Sequence, residues 1–143
     1  MNWIVEDELG NILENRLSGG GCAAVICNTV RRAQELYLQL KERQIVADDD
    51  LILFHACYPY RWRQDIENKI LLKFGKEATI ENNMRPHKSI VVATQVIEQS
   101  LDLDFDLMIT ELAPIDLMLQ RAGRLHRHNR KRDRPQKLQR PEL

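Results

Sequence analysis

The stretch that decides the fold is AAVICNTVRRAQELYLQL, residues 23–40. Its first five residues are too few and too uniformly apolar for a surface helix, which predicts a strand buried on both faces. From Thr29, a suitable N-cap, the apolar positions Ala33, Leu36, Tyr37 and Leu40 fall on one side of a helix. The stretch therefore predicts a buried strand that leads directly into an amphipathic helix.

The same unit repeats along the chain. A second strand is predicted at residues 51–54, followed by a helix with Ile66, Ile70, Leu71 and Phe74 on its apolar face and its end at Gly75. Two further apolar strands are predicted at 90–93 and 107–110, and a last helix from 115 to 126, after Pro114. Alternating strands and helices predict one α/β domain with a central parallel sheet flanked by helices.

Polar segments follow the four predicted strands. Because the carboxyl ends of parallel strands share one edge of the sheet, the loops after these strands are expected to meet there, where such sheets bind ligands. These loops begin at Asn28, His55, Thr94 and Glu111. The segment 93–102, which adds a hydroxyl, amides and carboxylates, is assigned to the same edge.

Composition bounds the class of protein. With 143 residues and 43% hydrophobic content, the chain has the size of one ordinary domain. Three cysteines in or beside apolar runs predict free thiols in a reducing compartment, and no ligand spacing typical of zinc is present, so no metal site is expected. Without a signal peptide or an apolar run of membrane-spanning length, we expect a cytoplasmic protein with no membrane partner.

Charge is distributed unevenly. Residues 1–120 hold 12 Lys and Arg against 19 Asp and Glu, whereas residues 121–143 hold 9 against 2. The basic end suits phosphate binding or a solvated tail. We predict a helix and loop at 1–19, the main domain at 20–128, and a basic disordered tail at 129–143.

Arginines recur at three-residue intervals in QRAGRLHRH, residues 120–128. If the last helix reaches residue 126, Arg121, Arg124 and Arg127 form a stripe along one side of it. A guanidinium grips phosphate oxygens with two donors, which suits the charge on a transferring γ-phosphoryl group, and Gly123 would allow a ligand to approach closely. The alternative is a solvated basic helix.

Two late segments carry a resemblance to a known family. IVVATQVIEQSLDLDFDLMITELAP, residues 90–114, and QRAGRLHRH resemble motifs V and VI of superfamily 2 helicases, in the same order and spacing. The wording EQSLDLDFD most resembles the CRISPR-associated helicase-nuclease of type I systems, and AAVICNTVRRAQELY resembles its motif IV. The resemblance covers about residues 20–130 and implies the second RecA-like domain of such a helicase.

The resemblance also implies roles for individual residues. Arg124 and Arg127 would act as arginine fingers on ATP held by the first RecA-like domain, supported by Gln120, Arg121, Gly123 and Asp102. The residues that would contact nucleic acid are Asn28, Thr29, Arg63 and Thr94. Simpler roles remain open: Thr29 as a helix N-cap only, Asp102 and Asp104 as solvated carboxylates, and His55 as a packed residue. Cys57 departs from the family, where an arginine is common.

A phosphate loop of the form G-x-x-x-x-G-K-[ST] does not occur, and neither does an acidic D-E-x-[DH] motif. ATP and Mg²⁺ are therefore expected to be bound mainly by the first RecA-like domain, and the isolated chain is expected to hydrolyse no ATP. The other partners expected are single-stranded DNA and a CRISPR RNA-guided surveillance complex. Two alternatives remain: a fragment of an RNA helicase or DNA-repair translocase, and a non-catalytic nucleic-acid-binding module.

Overall fold

A computed structural model describes residues 6–55, 60–79, 81–95, 102–128, 130 and 134–141. Cys57 lies outside these residues, and so does the stretch 96–101 of the predicted loop segment. The predicted alternation of helices and strands is present. The elements are α1 (Glu6–Arg16), β1 (Gly21–Ile26), α2 (Val30–Arg43), β2 (Leu51–Phe54), α3 (Tyr60–Phe74), β3 (Lys88–Ala93), β4 (Leu107–Thr110) and α4 (Ile115–Ala122), with short 3₁₀ helices at Asp48–Asp50 and Gln136–Leu138.

The four strands form one parallel sheet in the order β2-β3-β1-β4. The central strand β1 pairs with both β3 and β4, with Val25 opposite Val92 on one side and Ile109 on the other. Every residue of β1 is buried. This confirms the prediction that the apolar run after residue 22 forms a strand covered on both faces.

Side chains from alternating strand positions form two separate cores. One face of the sheet packs against α1 and α2, where Leu13, Leu36 and Leu40 are buried. The other face packs against α3 through Ile70 and Phe74. Leu71, which we had placed on the apolar face of α3, is 36% exposed. The result is a three-layer α/β arrangement, as predicted.

The glycine run at 19–21 has a structural role in this fold. Gly20 and Gly21 have φ values of +94° and +120°, a region that favours glycine. A Cβ atom on Gly20 would lie 2.8 Å from the backbone oxygen of His87, and one on Gly21 would lie 2.5 Å from Leu138. These glycines therefore let the chain turn tightly from α1 into β1.

The last helix is shorter than predicted. Helix α4 ends at Ala122, and Gly123 is its C-cap, so residues 123–126 are not helical. Instead, Leu125 forms a parallel bridge with Phe105 and packs against the core on the α3 face. Because this pairing replaces the last helical turn, Arg121, Arg124 and Arg127 do not form a stripe along one helix.

The carboxyl-terminal segment also departs from the prediction of a disordered tail. Leu138 is fully buried in the core beneath α1 and α2, and Arg130 and Arg134 are 6% and 7% exposed. Arg134 donates its backbone N–H to the Arg130 carbonyl, at 3.0 Å. Two of the basic residues that suggested a solvated tail, Arg130 and Arg134, form the buried ion pairs described below.

The structure describes two of the three cysteines. Cys22 and Cys27 are free and buried, as predicted, and burial raises the pKa of each thiol to about 12. Within the ranges that the structure describes, none of the helices has the length and apolar character needed to cross a membrane.

Candidate functional site

The loops after the strands meet at the carboxyl-terminal edge of the sheet. The Asn28 backbone N–H donates to the Glu111 carboxylate at 2.7 Å, and its side-chain amide donates to the Leu112 carbonyl at 2.8 Å. The Gln95 amide donates to the Asn28 carbonyl at 2.8 Å. The Thr94 N–H donates to the Phe54 carbonyl. The predicted meeting of these loops is confirmed.

Arg121 belongs to this carboxyl edge. Its side chain is fully buried, and its guanidinium donates to the Thr110 hydroxyl at 2.7 Å, the Glu111 carbonyl at 3.1 Å and the Asn28 side-chain oxygen at 3.3 Å. A guanidinium bound to the ends of β1 and β4 in this way joins α4 to the sheet. Arg121 therefore supports the domain from inside.

The other residues assigned to nucleic-acid contact differ in accessibility. Thr29 is exposed and caps α2, since its hydroxyl accepts from the Arg32 N–H at 3.3 Å. Arg63 forms an ion pair with Glu67 at 3.2 Å on α3. Thr94 is only 2% exposed, so its hydroxyl is not presented to solvent. Nearby His55 is also buried, and that burial lowers its pKa.

Arg124 and Arg127, the other two arginines of the motif, lie at the opposite, amino-terminal edge of the sheet. They belong to residues 124–128, which we call the arginine loop. The Phe105 N–H donates to the Arg124 carbonyl at 2.8 Å, and the His126 N–H donates to the Phe105 carbonyl at 2.9 Å. His126 has φ +48°, which costs a non-glycine residue about 1 kcal/mol. The segment before β4 therefore holds the loop in a fixed turn.

Asp102 lies beside this loop, close to both Arg124 and Arg127. The Arg127 guanidinium contacts the Asp102 carboxylate at 2.7 Å, with the two side chains 41% and 48% exposed. The His128 ring contacts the same carboxylate oxygen at 3.1 Å. Burial and the neighbouring charge of Arg127 lower the pKa of Arg124, against the opposing effect of Asp102. Two guanidiniums that repel each other at a partly exposed position favour an additional anion.

Gln120 and Gly123 flank the start of this loop, and both are exposed. Gly123 has φ −64°, a conformation open to any residue, and among the described residues a Cβ atom there would meet the Gln120 carbonyl at 3.3 Å, a slightly tight contact, and the Leu119 carbonyl at 3.5 Å. The domain itself therefore does not require glycine at this position. A requirement for glycine would have to come from a molecule outside the domain.

Beneath the arginine loop lies a buried ionic network of five side chains, each at most 7% exposed. Asp104 forms ion pairs with Arg130 at 2.5 Å and Arg134 at 3.0 Å. Asp106 forms ion pairs with Arg85 at 3.1 Å and with Arg134. Carbonyl groups at positions 75, 76 and 78 accept from Arg130. Removing one partner of such a network is expected to cost roughly 3–5 kcal/mol.

This network was not predicted from the sequence. A solvated carboxylate was one of the roles left open for Asp104, and the structure excludes it because Asp104 is fully buried. The alternation of acidic and apolar residues in DLDFD, residues 102–106, is typical of an extended segment that buries its apolar face, but it predicts solvent exposure for the acidic face. Buried Leu103 and Phe105 occupy that apolar face, and Arg130 and Arg134 supply the matching charge from the supposed tail.

The donors at the arginine loop suit phosphate oxygens better than a metal ion. Guanidinium groups bind anions in pairs of hydrogen bonds, whereas Mg²⁺ requires oxygen ligands. In the part of the chain that the structure describes, no cluster of three His, Cys, Asp or Glu residues could hold a metal. What the loop can do chemically is to bring two positive charges to a phosphate group held by another domain.

Sequence comparison identifies relatives over most of the chain. The family model described as "CRISPR-associated nuclease/helicase Cas3, C-terminal" matches residues 19–130. The Streptococcus thermophilus CRISPR-associated nuclease/helicase Cas3 is 45% identical over 132 residues, which are 92% of this chain and 13% of that protein. The Escherichia coli K12 CRISPR-associated endonuclease/helicase Cas3 is 46% identical over 114 residues, 80% of this chain and 12% of that protein. The chain thus spans about one eighth of these relatives.

Solved structures agree with this result. A crystal structure of a CRISPR-associated protein superimposes with a TM-score of 0.85 and 54% identity, over 96% of this chain and 15% of that one. T. fusca Cas3-ATP gives 0.82 and 46%, over 94% and 15%. A CRISPR RNA-guided surveillance complex, pre-nicking, gives 0.82 and 42%, over 97% and 16%. The α/β fold is therefore the RecA-like fold of Cas3 C-terminal regions, and this chain belongs to the family of CRISPR-associated Cas3 nuclease/helicases, of which it forms a C-terminal part.

Proposed function

We propose that this chain is the second RecA-like domain of an ATP-dependent superfamily 2 DNA helicase of CRISPR interference. In this role it supplies arginine fingers and part of a single-stranded DNA track. The observation that carries the proposal is the arginine loop, where Arg124 and Arg127 lie beside Asp102 on a turn held by Phe105. Family membership supports the helicase assignment.

The arginine loop would act on a nucleotide bound elsewhere. Arg127 is partly exposed and bound to one carboxylate, so an incoming phosphate competes with Asp102 for its guanidinium. Arg124 adds a second positive charge close by. Charges that reach the γ-phosphoryl group from a second domain stabilise the transition state of phosphoryl transfer.

ATP and Mg²⁺ would be held mainly by the first RecA-like domain. One structural neighbour is a Cas3-ATP complex, which supports ATP as the nucleotide of the complete enzyme. This chain lacks a phosphate loop and an acidic metal-binding motif, and its own donors at the arginine loop suit phosphate. We therefore expect Gln120, Arg121, Gly123 and Asp102 to support the site, with Arg121 acting from the interior.

The DNA track would lie at the carboxyl edge. Asn28 and exposed Thr29 lie there, and Thr94 is buried behind the same edge. Because Thr94 is buried, its contact with a DNA backbone requires the edge to open. Arg63 would have to exchange Glu67 for a phosphate. A surveillance complex among the structural neighbours supports such a complex as the partner.

The proposal is tested by removing both fingers in the complete helicase that carries both RecA-like domains. For Arg124→Ala/Arg127→Ala, we expect single-strand-stimulated ATP hydrolysis to fall at least about 1000-fold, since arginine fingers contribute that much to phosphoryl transfer. DNA binding, measured by fluorescence anisotropy, should change little. The control is Arg43→Ala, which breaks a comparably exposed ion pair with Glu14 at 3.1 Å and should leave ATPase intact. ATPase that survives the double substitution, or equal losses in both variants, refutes the proposal.

The nucleic-acid assignment has its own test. Replacing single-stranded DNA by RNA of the same sequence in the ATPase assay of the complete helicase should remove most of the stimulation. The 2′-hydroxyl is the group by which a protein site distinguishes RNA from DNA. Equal stimulation by RNA would favour an RNA helicase instead.

A further inference from the structure

We propose that Arg134 is a positioning residue for the arginine loop: with Asp104 it fixes the backbone on both sides of Arg127, and so sets how fast bound ATP is hydrolysed. The proposal rests on the function proposed above for Arg127. It assigns to the segment after motif VI, which the sequence suggested was a disordered tail, a part in the ATPase reaction.

Two partly buried hydrogen bonds hold the loop around Arg127. The Arg127 backbone N–H donates to the Asp104 carboxylate at 2.8 Å. The Arg134 guanidinium donates to the carbonyl of His128, the next residue, at 2.8 Å. The backbone is therefore held before Arg127, at its own N–H, and after it, at the His128 carbonyl. The Arg127 side chain stays partly exposed.

Arg134 also orients Asp104, the residue whose carboxylate accepts from the Arg127 backbone N–H. Its guanidinium donates to both oxygens of Asp104, each at 3.0 Å, and it forms a second ion pair with Asp106. Arg130 donates to one of the same Asp104 oxygens at 2.5 Å. One planar guanidinium thus connects two carboxylates and the loop backbone, a geometry that a lysine ammonium does not reproduce.

Rigidity at this point has a chemical consequence. A catalytic group displaced by about 1 Å can lower a rate about 100-fold, even when the change lies away from the reacting atoms. A loop that moves in this way loses transition-state stabilisation, whereas ground-state ATP binding is supplied mainly by the other domain. A positioning defect should therefore appear in kcat more than in KM.

Arg85 provides an internal control for this argument. Like Arg134 it is a buried arginine, it pairs with Asp106, and it donates to one backbone carbonyl, that of Asp104, at 2.9 Å. Within the part of the chain that the structure describes, the Arg85 guanidinium donates to Asp104 and Asp106 and to no residue of the arginine loop. Arg85→Lys and Arg134→Lys therefore damage the same network with the same change in chemistry, but only the second removes a contact to the arginine loop.

The experiment compares these two variants in the complete helicase, with ATP and single-stranded DNA saturating. We expect Arg134→Lys to lower kcat about 10-fold or more, with KM for ATP changed less than about threefold. Arg85→Lys should lower the thermal midpoint by a similar amount and keep kcat within about twofold of the unsubstituted protein. Amide hydrogen exchange of the peptide that spans 124–128 should be faster in Arg134→Lys alone.

Equal losses of kcat in the two lysine variants would overturn the proposal, because Arg134 would then act only through stability. If Arg134→Lys does not yield folded protein, Asp104→Asn and Arg85→Lys make the same comparison, since Asp104 accepts from the Arg127 N–H and Arg85 donates to Asp104 and Asp106 instead. A fall in kcat confined to Asp104→Asn supports the proposal, and equal effects contradict it.

Arg127→Ala, measured beside these variants, separates the finger function of Arg127 from the positioning role of Arg134. If Arg127→Ala leaves kcat unchanged, the proposed finger function itself is wrong. If Arg127→Ala abolishes hydrolysis while Arg134→Lys behaves like Arg85→Lys, the finger function stands and the positioning role of Arg134 is wrong.

Discussion

Two arginines of one short motif, Arg121 and Arg127, have opposite environments. Arg121 is fully buried at the carboxyl edge and bound to neutral oxygens of the domain's own strands and loops. Arg127 lies at the amino edge, 41% exposed, against a single carboxylate that is itself exposed. Two arginines six positions apart therefore differ: Arg121 stabilises the interior of the domain, and Arg127 faces outward.

The difference arises where α4 ends. Because Gly123 closes the helix and Leu125 pairs with Phe105, the chain turns away from the carboxyl edge immediately after Arg121. The motif thus makes contacts at both edges of the sheet, through the Arg121 side chain at one edge and residues 124–126 at the other. One half of the motif stabilises the domain, and the other half is available to a neighbouring domain.

The largest expected effect concerns activity without that neighbour. The isolated chain should hydrolyse no ATP above the buffer blank, because its arginines can act only on nucleotide bound elsewhere. A phosphate-release assay on the purified domain, checked for its folded state by circular dichroism, measures this. Turnover that persists through purification and disappears in Arg127→Ala would show that the domain binds ATP productively alone.

The two arginines should also differ in their contribution to stability. Arg121→Ala removes a fully buried side chain that donates to three partly buried acceptors, and it opens a cavity, so we expect it to lower the free energy of unfolding by roughly 2–5 kcal/mol. Arg127→Ala breaks a partly exposed ion pair and should cost less than about 1 kcal/mol. Urea denaturation compares the two, and similar losses would remove the distinction between the two edges.

Much of the fold could be predicted from periodicity. The strands at 51–54 and 107–110 have the predicted bounds, and Thr29 caps α2 as expected. The end of α4 could not be predicted, since its helical pattern continues and only the long-range pairing with Phe105 overrides it. The buried network was missed for a related reason: Asp104 and Arg134 are 30 residues apart, and charge in a sequence usually indicates solvent.

The site could be predicted only in part. The resemblance named Arg124, Arg127 and Asp102, and the structure brings these three together. It named Arg121 as a supporting residue but did not predict that Arg121 is buried, because local spacing carries no information about burial. The roles of all these residues in catalysis and of Asn28, Thr29, Arg63 and Thr94 in DNA binding remain predictions.

A smaller effect is expected at Gly123, at the point where the two edges diverge. Gly123→Ala should leave stability unchanged or raise it by about 0.5 kcal/mol, because its backbone suits alanine and the unfolded chain loses freedom. ATPase of the complete helicase should nevertheless fall if a nucleotide or domain approaches the Cα closely. Thermal melting and ATPase are measured on the same preparation, and an unchanged rate would show that no such approach occurs.

The smallest effect concerns two histidines, one at each edge. Burial lowers the pKa of His55 at the carboxyl edge, and burial together with the charge of Arg134 lowers that of His126 at the amino edge. Both are therefore neutral in the fold, so the stability they contribute is present above pH 6.5 and is lost as the pH falls below that value. Ring-proton NMR titration should give both midpoints below 6.5. A midpoint at or above that value for His126 would argue against the compact network beneath the arginine loop.

The most direct test of the central claim is to measure nucleotide affinity and turnover together for Arg127→Ala in the complete helicase. If Arg127 is a finger that acts on ATP bound by the other domain, kcat should fall at least about 100-fold while the Kd for a non-hydrolysable ATP analogue changes less than about fivefold. A kcat within twofold of the unsubstituted enzyme would contradict the claim. So would a loss of affinity as large as the loss of rate, because Arg127 would then be a ground-state binding residue.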